Sequence, residues 1–186
     1  MTDLTHARVV RRIISADGPN DLSHALADAP VDDVLRDPAR PGFACARVWA
    51  TDTTPARPRS AAWVASLPRS LAPPRNGMVF HVVTLPPDAD WSGTINEAAV
   101  RAYFAAAGSP QACCFAPDAP HPYMQQTHTL DLCVVIAGEI TLVLDNEAVT
   151  LGARDTIVQR GTRHAWSNRS GKPCIVAVSS HDARRD

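Results

Sequence analysis

Two ionisable residues in the last third of the chain have surroundings suited to proton chemistry. Asp131 stands in Leu130-Asp-Leu-Cys-Val-Val-Ile136, where every neighbour is apolar. A carboxylate buried in such a strand needs a partner, and the imidazole of His164 is the natural one. Together they would act as general acid and base: the aspartate raises the imidazole pKa, and apolar burial opposes that rise. Each also has a plainer reading. A strand carboxylate is usually solvated, and a histidine at a strand start is often a hydrogen-bonded core residue.

Strand geometry selects the residues that would join them, because the same face recurs at every second position. Gln125, Thr127, Thr129 and Cys133 share a face with Asp131, and Trp166 and Asn168 share one with His164. These are candidate substrate contacts; for Trp166, core packing competes with stacking on a substrate. His128 falls on the opposite face unless a bulge intervenes. His121 has the right parity but precedes Pro122. His81 lies in Met78-Val-Phe-His-Val-Val-Thr-Leu85, a strand-length apolar run expected to be buried on both faces, so it reaches either a pocket or a subunit interface. Gln159, Arg160 and Arg163 precede His164. At a pocket mouth they would hold a carboxylate or phenolate; a solvated loop is the other reading, and it suits Arg163 better.

The elements that must position these residues are mostly strands. Arg8–Ile14 reads as a strand ended by the turn Asp17-Gly18-Pro19, and Asp21–Asp37 as loop with a helical turn near Val31–Leu35. Phe43–Thr51 and Ala61–Ser66 read as strands. Asn96–Ala107 is alanine-rich, with Val100, Tyr103 and Phe104 at helical spacing and Gly108 at its end. From Thr127 the pattern is dense: Asp131–Ile136 and Glu139–Asp145 flank the turn Ala137-Gly138, and Ala148–Leu151, Asp155–Gln159, His164–Arg169 and Cys174–Ser179 follow. Short, evenly spaced strands argue for a sandwich, jelly roll or small barrel.

Composition narrows the function classes. The 18 basic and 19 acidic residues are balanced and unclustered, which gives no case for nucleic acid or a charged membrane. No apolar run is long enough to span a bilayer, and Met1–Val10 lacks a hydrophobic signal core. The five cysteines, an odd number without CxxC spacing, read as thiols in a reducing compartment, so the expected location is cytoplasmic.

Gly161-Thr-Arg-His164-Ala-Trp-Ser-Asn168 matches GxxHxxxN, and Asp131 followed by Gly138 looks like the E(x)6G half of a second motif with Asp for Glu. In these residues the chain resembles the cupin superfamily. His121-Pro-Tyr-Met-Gln-Gln-Thr-His-Thr-Leu-Asp-Leu132 and Ile157-Val-Gln-Arg-Gly-Thr-Arg-His-Ala-Trp-Ser-Asn168 resemble a subgroup of single-domain small cupins of bacteria and fungi. The resemblance implies an all-β cupin jelly-roll β-barrel with an N-terminal extension and one short helical insertion at Thr94–Gly108. Residues 1–76 would form an extension whose strands pack on the barrel, 77–181 the barrel core and 182–186 a tail. A homodimer is expected, since edge strands need covering.

The resemblance also implies a pocket that in most cupins holds Fe, Mn, Ni or Zn on three histidines and a carboxylate. Here the paired histidine positions read Gln125 and Thr127 in one register and Met124 and Gln126 in the other. That leaves His164, Asp131 and Gln125, with His128 or His121 as recruits. The expectation is therefore either no required cofactor or a weakly held divalent metal. The implied activity is a decarboxylase, isomerase, cyclase or dehydratase of specialised or aromatic metabolism, with His164 and Asp131 transferring protons. Gln125, Thr127, Trp166, Arg160, His81 and Asn168 would contact its small-molecule substrate. A non-catalytic ligand-binding cupin and a metal-dependent dioxygenase or lyase with a rearranged ligand set are the alternatives.

Overall fold

The computed structural model describes residues 9–58 and 61–184. The chain is mostly antiparallel strand. β1 (Arg11–Asp17) and β2 (Ser23–Pro30) form a separate hairpin. A six-stranded sheet contains β3 (Val34–Arg36), β4 (Ala44–Thr51), β5 (Met78–Leu85), β6 (Thr129–Ala137), β9 (Thr156–Gln159) and β11 (Cys174–Asp182), in the order β3-β4-β5-β11-β6-β9. β7 (Glu139–Val143), β8 (Ala148–Gly152) and β10 (Ala165–Ser167) make a three-stranded sheet in the order β10-β7-β8. The two larger sheets close into the barrel of a jelly roll, and their inner faces share one core. Phe43, Cys45, Cys133, Val135 and Val176 come from the large-sheet side, and Ile140, Leu151 and Trp166 from the small sheet.

Among the described residues two α-helices interrupt the strands. The insertion forms α2 (Glu97–Ala106), capped by Asn96, whose Oδ1 accepts from the Ala99 N–H at 3.0 Å. Gly108 ends the segment at φ +68°, and a Cβ there would collide with the Arg69 carbonyl. α2 buries Val100 and Phe104 with Trp91, Ala112 and Tyr123, an aromatic cluster on one side of the barrel.

The N-terminal third departs from expectation. Ala61–Ser66 is a helix (α1) rather than a strand, seating Val64 against Ala50 and Val79. A six-residue apolar run has no period that separates the two states, and alanine favours the helix. Asp21–Asp37 carries β2 and β3 instead of a loop with a helical turn. β1 begins at Arg11; Arg8, the expected start, lies outside the described residues.

β6 alternates strictly. Thr129, Asp131, Cys133 and Val135 are buried, whereas Leu130, Leu132, Val134 and Ile136 are 40%, 48%, 41% and 51% exposed. The apolar neighbours of Asp131 suggest a strand buried on both sides, and the structure corrects that reading: an apolar run leaves open whether another layer covers the outer face. The parity of Asp131 holds, and across the sheet it sits between Ser180 of β11 and Gln159 of β9.

Candidate functional site

The barrel encloses a cavity of about 90 Å3. The large sheet contributes Asp131 and Cys133 from β6, His81 and Val83 from β5, and Val178 and Ser180 from β11. Trp166 enters from β10, and Tyr103 and Phe104 from α2. Gln125, Thr127 and His164 complete the polar side.

His164 is fixed from both sides. It is 3% exposed, and Nδ1 lies 2.9 Å from the Thr162 carbonyl. A carbonyl can only accept, so Nδ1 carries the proton and Nε2 of the neutral ring is an acceptor. That atom meets the Gln125 Nε2 at 3.2 Å, where the amide donates. The ring packs edge-on against Trp166, with centroids 6.0 Å apart. Burial lowers the His164 pKa, while the Thr162 carbonyl and the Asp131 charge partly oppose the fall. The result is a neutral base with a fixed tautomer. The loop that presents it is held by Gln126 Nε2 donating to the Gly161 carbonyl at 2.9 Å and Thr162 Oγ1 donating to Gln159 Oε1 at 2.6 Å.

Asp131 does not hydrogen-bond to His164, contrary to expectation. Its Oδ1 is buried without a hydrogen-bond partner among the described residues, and its link to the imidazole is electrostatic. The place beside Nε2 belongs to Gln125, because Gln125 and His164 are paired directly through their backbones.

The other expected residues divide. His81 lines the cavity, its pKa lowered to about 4 by burial and by the charges of Arg69 and Arg47. Thr127 lines it too, with its hydroxyl 2.6 Å from that of Thr129. Three residues do not belong there. Arg160 is exposed, because Gln159 takes the inward position at the end of β9. His128 is exposed at the approach to β6, on the face opposite Thr127 and Thr129. Asn168 is 1% exposed but ties a loop, donating through Nδ2 to the carbonyls of Leu85 at 2.9 Å and Lys172 at 2.8 Å. It lies past the end of β10, where strand parity no longer applies. His121 is buried in the aromatic cluster, with Nδ1 accepting from the Tyr123 N–H at 3.1 Å.

Sequence reasoning missed Arg40. It lines the cavity from the segment Asp37-Pro-Ala-Arg-Pro-Gly42 and is 5% exposed. Its guanidinium carbon lies 3.6 Å from the ring centroid of Tyr123, 4.0 Å from that of Phe43 and 4.5 Å from that of Tyr103. Nε donates to Asp37 Oδ2 at 2.7 Å, and the Tyr123 hydroxyl donates to the same oxygen at 2.7 Å. The available signal was an acid and a base three residues apart in a loop stiffened by two prolines.

The model of the cupin domain family matches residues 112–180, the stretch that supplies Tyr123, Gln125, Asp131, His164 and Trp166. This segment is a cupin domain. Two proteins of Diaporthe leptostromiformis, phomopsin biosynthesis cluster proteins C' and D, are each 52% identical to this chain over 48 residues. The matched stretch spans 25% of this chain and only 25% of each relative. Among solved structures, a cupin 2 conserved barrel domain protein from Salinispora arenicola covers 86% of this chain and 92% of its own at 13% identity and a TM-score of 0.45. A cupin-superfamily sugar phosphate isomerase from Silicibacter pomeroyi covers 95% and 73% at 14% identity and a TM-score of 0.41.

Cupins often bind metals, and the donors here can be tested for that. Among the described residues no group of three or more His, Cys, Asp or Glu is placed to hold an ion. Two imidazoles, His81 and His164, and one carboxylate, Asp131, line the cavity but are not gathered into a ligand group; His164 Nε2 faces the Gln125 amide N–H, and the side chains of Gln125 and Thr127 are neutral. This set does not fit a tightly held divalent ion, which calls for several imidazole or carboxylate ligands. The cavity thiol of Cys133 is pushed up to about 12 by burial and by Asp131, and that of Cys45 to about 12 by burial, so both stay protonated and weakly nucleophilic.

Proposed function

We propose that this cupin is a small-molecule enzyme whose cavity performs proton transfer, with His164 as the base. The carrying observation is the fixed imidazole: Nδ1–H is committed to the Thr162 carbonyl, and Nε2 is a neutral acceptor beside the Gln125 amide. A base of depressed pKa is in its working form at neutral pH. The Gln125 amide would donate to an oxyanion formed as the substrate loses its proton, and Asp131, on the same cavity, would hold or return a proton. These roles suit isomerisation, decarboxylation, dehydration or cyclisation. The relatives named for phomopsin biosynthesis support a place in specialised metabolism. The five free thiols support a reducing, cytoplasmic setting.

A second reading, ligand binding without turnover, is favoured by one detail: Gln125 already satisfies Nε2 without any substrate. Incubation with a panel of carboxylated and polyketide-like molecules, followed by mass spectrometry, separates the two. The enzyme reading expects turnover that falls about 100-fold or more in His164→Ala. Turnover surviving both His164→Ala and Asp131→Asn overturns it, and a ligand recovered unchanged supports the binder.

In the same reading residues 77–181 are the core and 1–76 an extension that completes it, since β4 and Arg40 both border the cavity side of the barrel. The partner for the outer face of β6 would be a second copy. Leu130, Leu132, Val134 and Ile136, with Val158 alongside Leu132, form an exposed row without charge, which suits a self-complementary, two-fold interface.

A further inference from the structure

Arg40 is held more firmly than a packing residue requires, yet one of its terminal nitrogens, Nη2, has no acceptor among the described residues. A guanidinium has five N–H donors. Here Nε is engaged by Asp37, and Nη2 is buried with no acceptor among the described residues. Asp37 is fixed in turn by the Tyr123 hydroxyl and by the Ala39 N–H at 3.0 Å. Three aromatic rings surround the cation, so it cannot turn to solvent. Leaving buried donors idle costs stability, and a planar fork of this kind matches a carboxylate. Asp131 lines the same cavity with the complementary lack, a buried Oδ1 without a donor among the described residues.

We infer that Arg40 anchors the carboxylate of the cavity's ligand and that Asp131 accepts a hydrogen from a hydroxyl or amino group on the same molecule, which makes the ligand a small hydroxy- or amino-carboxylic acid. This rests on the reading of the cavity as a small-molecule site. The enclosed volume, about 90 Å3, is below the roughly 150 Å3 of an engineered cavity that takes up benzene. The enclosed part of the ligand is therefore short, with any larger body extending through the mouth. Phe43, Leu71 and Val83 supply the apolar wall for its carbon skeleton.

The test is calorimetric titration of the full chain with 2-hydroxybutyrate, its neutral amide, and butyrate. The acid is expected to bind about tenfold or more tightly than the amide, because a charged hydrogen bond is lost in the amide. Arg40→Met is expected to remove that preference and Arg40→Lys to retain part of it. Asp131→Asn is expected to narrow the preference for 2-hydroxybutyrate over butyrate. Equal binding of acid and amide, no saturable binding of the acid up to about 10 mM, or an unchanged preference in Arg40→Met or Asp131→Asn overturns the inference. Should Arg40→Met not fold, the guanidinium nitrogen resonance of Arg40 in the wild-type protein decides: it moves on addition of the acid and not of the amide, and a resonance that responds to neither overturns the assignment. The acid preference is read by binding without turnover, so failure of the proton-transfer reading is distinguishable from failure of this one.

Discussion

The side chains of Gln125 and His164 meet at 3.2 Å on residues whose backbones already exchange two hydrogen bonds, Gln125 N–H to the His164 carbonyl at 2.8 Å and His164 N–H to the Gln125 carbonyl at 3.0 Å. The imidazole and its neighbour are thus positioned by one pairing, outside the named strands. Gln125→Glu places a carboxylate beside Nε2 with little change of shape. The His164 pKa should rise, because a carboxylate beside Nε2 favours the charged imidazole, and NMR titration of the imidazole Cε1 proton measures it. An unmoved titration would show that the two side chains are not in contact in solution.

Stability should fall with acid in a window set by His81. Burial and two arginines hold its folded pKa at about 4, below the usual imidazole value of 6.5. The group is neutral in both states above that value. As pH falls from 6.5 towards 4 the unfolded chain takes up the proton first, so stability is lost through this window and levels off below it. The loss is on the order of 3 kcal/mol, read from denaturant midpoints. His81→Asn should flatten the curve.

Asn168 should prove a structural residue. Its side chain donates to two carbonyls and accepts from the N–H and hydroxyl of Ser170 at 3.0 and 2.8 Å. Asn168→Ala should cost about 3 kcal/mol in urea unfolding without altering the preference of the cavity for acid over amide.

Leu132→Glu tests the association surface. A charge in the middle of the exposed row is expected to convert a dimer to monomer in sedimentation equilibrium, with the cavity unaffected because the residue points away from it. A wild-type protein that sediments as a monomer at micromolar concentration would dismiss the interface.

The barrel strands were legible because period-two alternation and turn residues are local signals: β5 falls on the expected residues, and β6 through β9 begin within two residues of expectation. Asp131 and Trp166 were found at the cavity by the same parity. Parity failed where a strand ends, which is why Asn168 was misplaced; Arg160 was named for its position just before His164, and Gln159 takes the inward place instead. Arg40 was beyond reach for a different reason. Its significance comes from Phe43, Tyr103 and Tyr123, which the fold brings together from a strand approach, a helix and a loop, and none of these contacts has a sequence period. The His164 partner was misassigned because charge complementarity favoured Asp131, whereas backbone pairing decided for Gln125.

The alternation of β6 has a consequence for how this protein tolerates insertion. One face of the strand carries the cavity carboxylate and the other the greasy row. A single added residue upstream in the strand would exchange them, turning Asp131 out to solvent and a leucine into the cavity. The proposed ligand contact and the proposed two-fold interface would then be lost together, from one lesion, although they occupy opposite sides of the sheet.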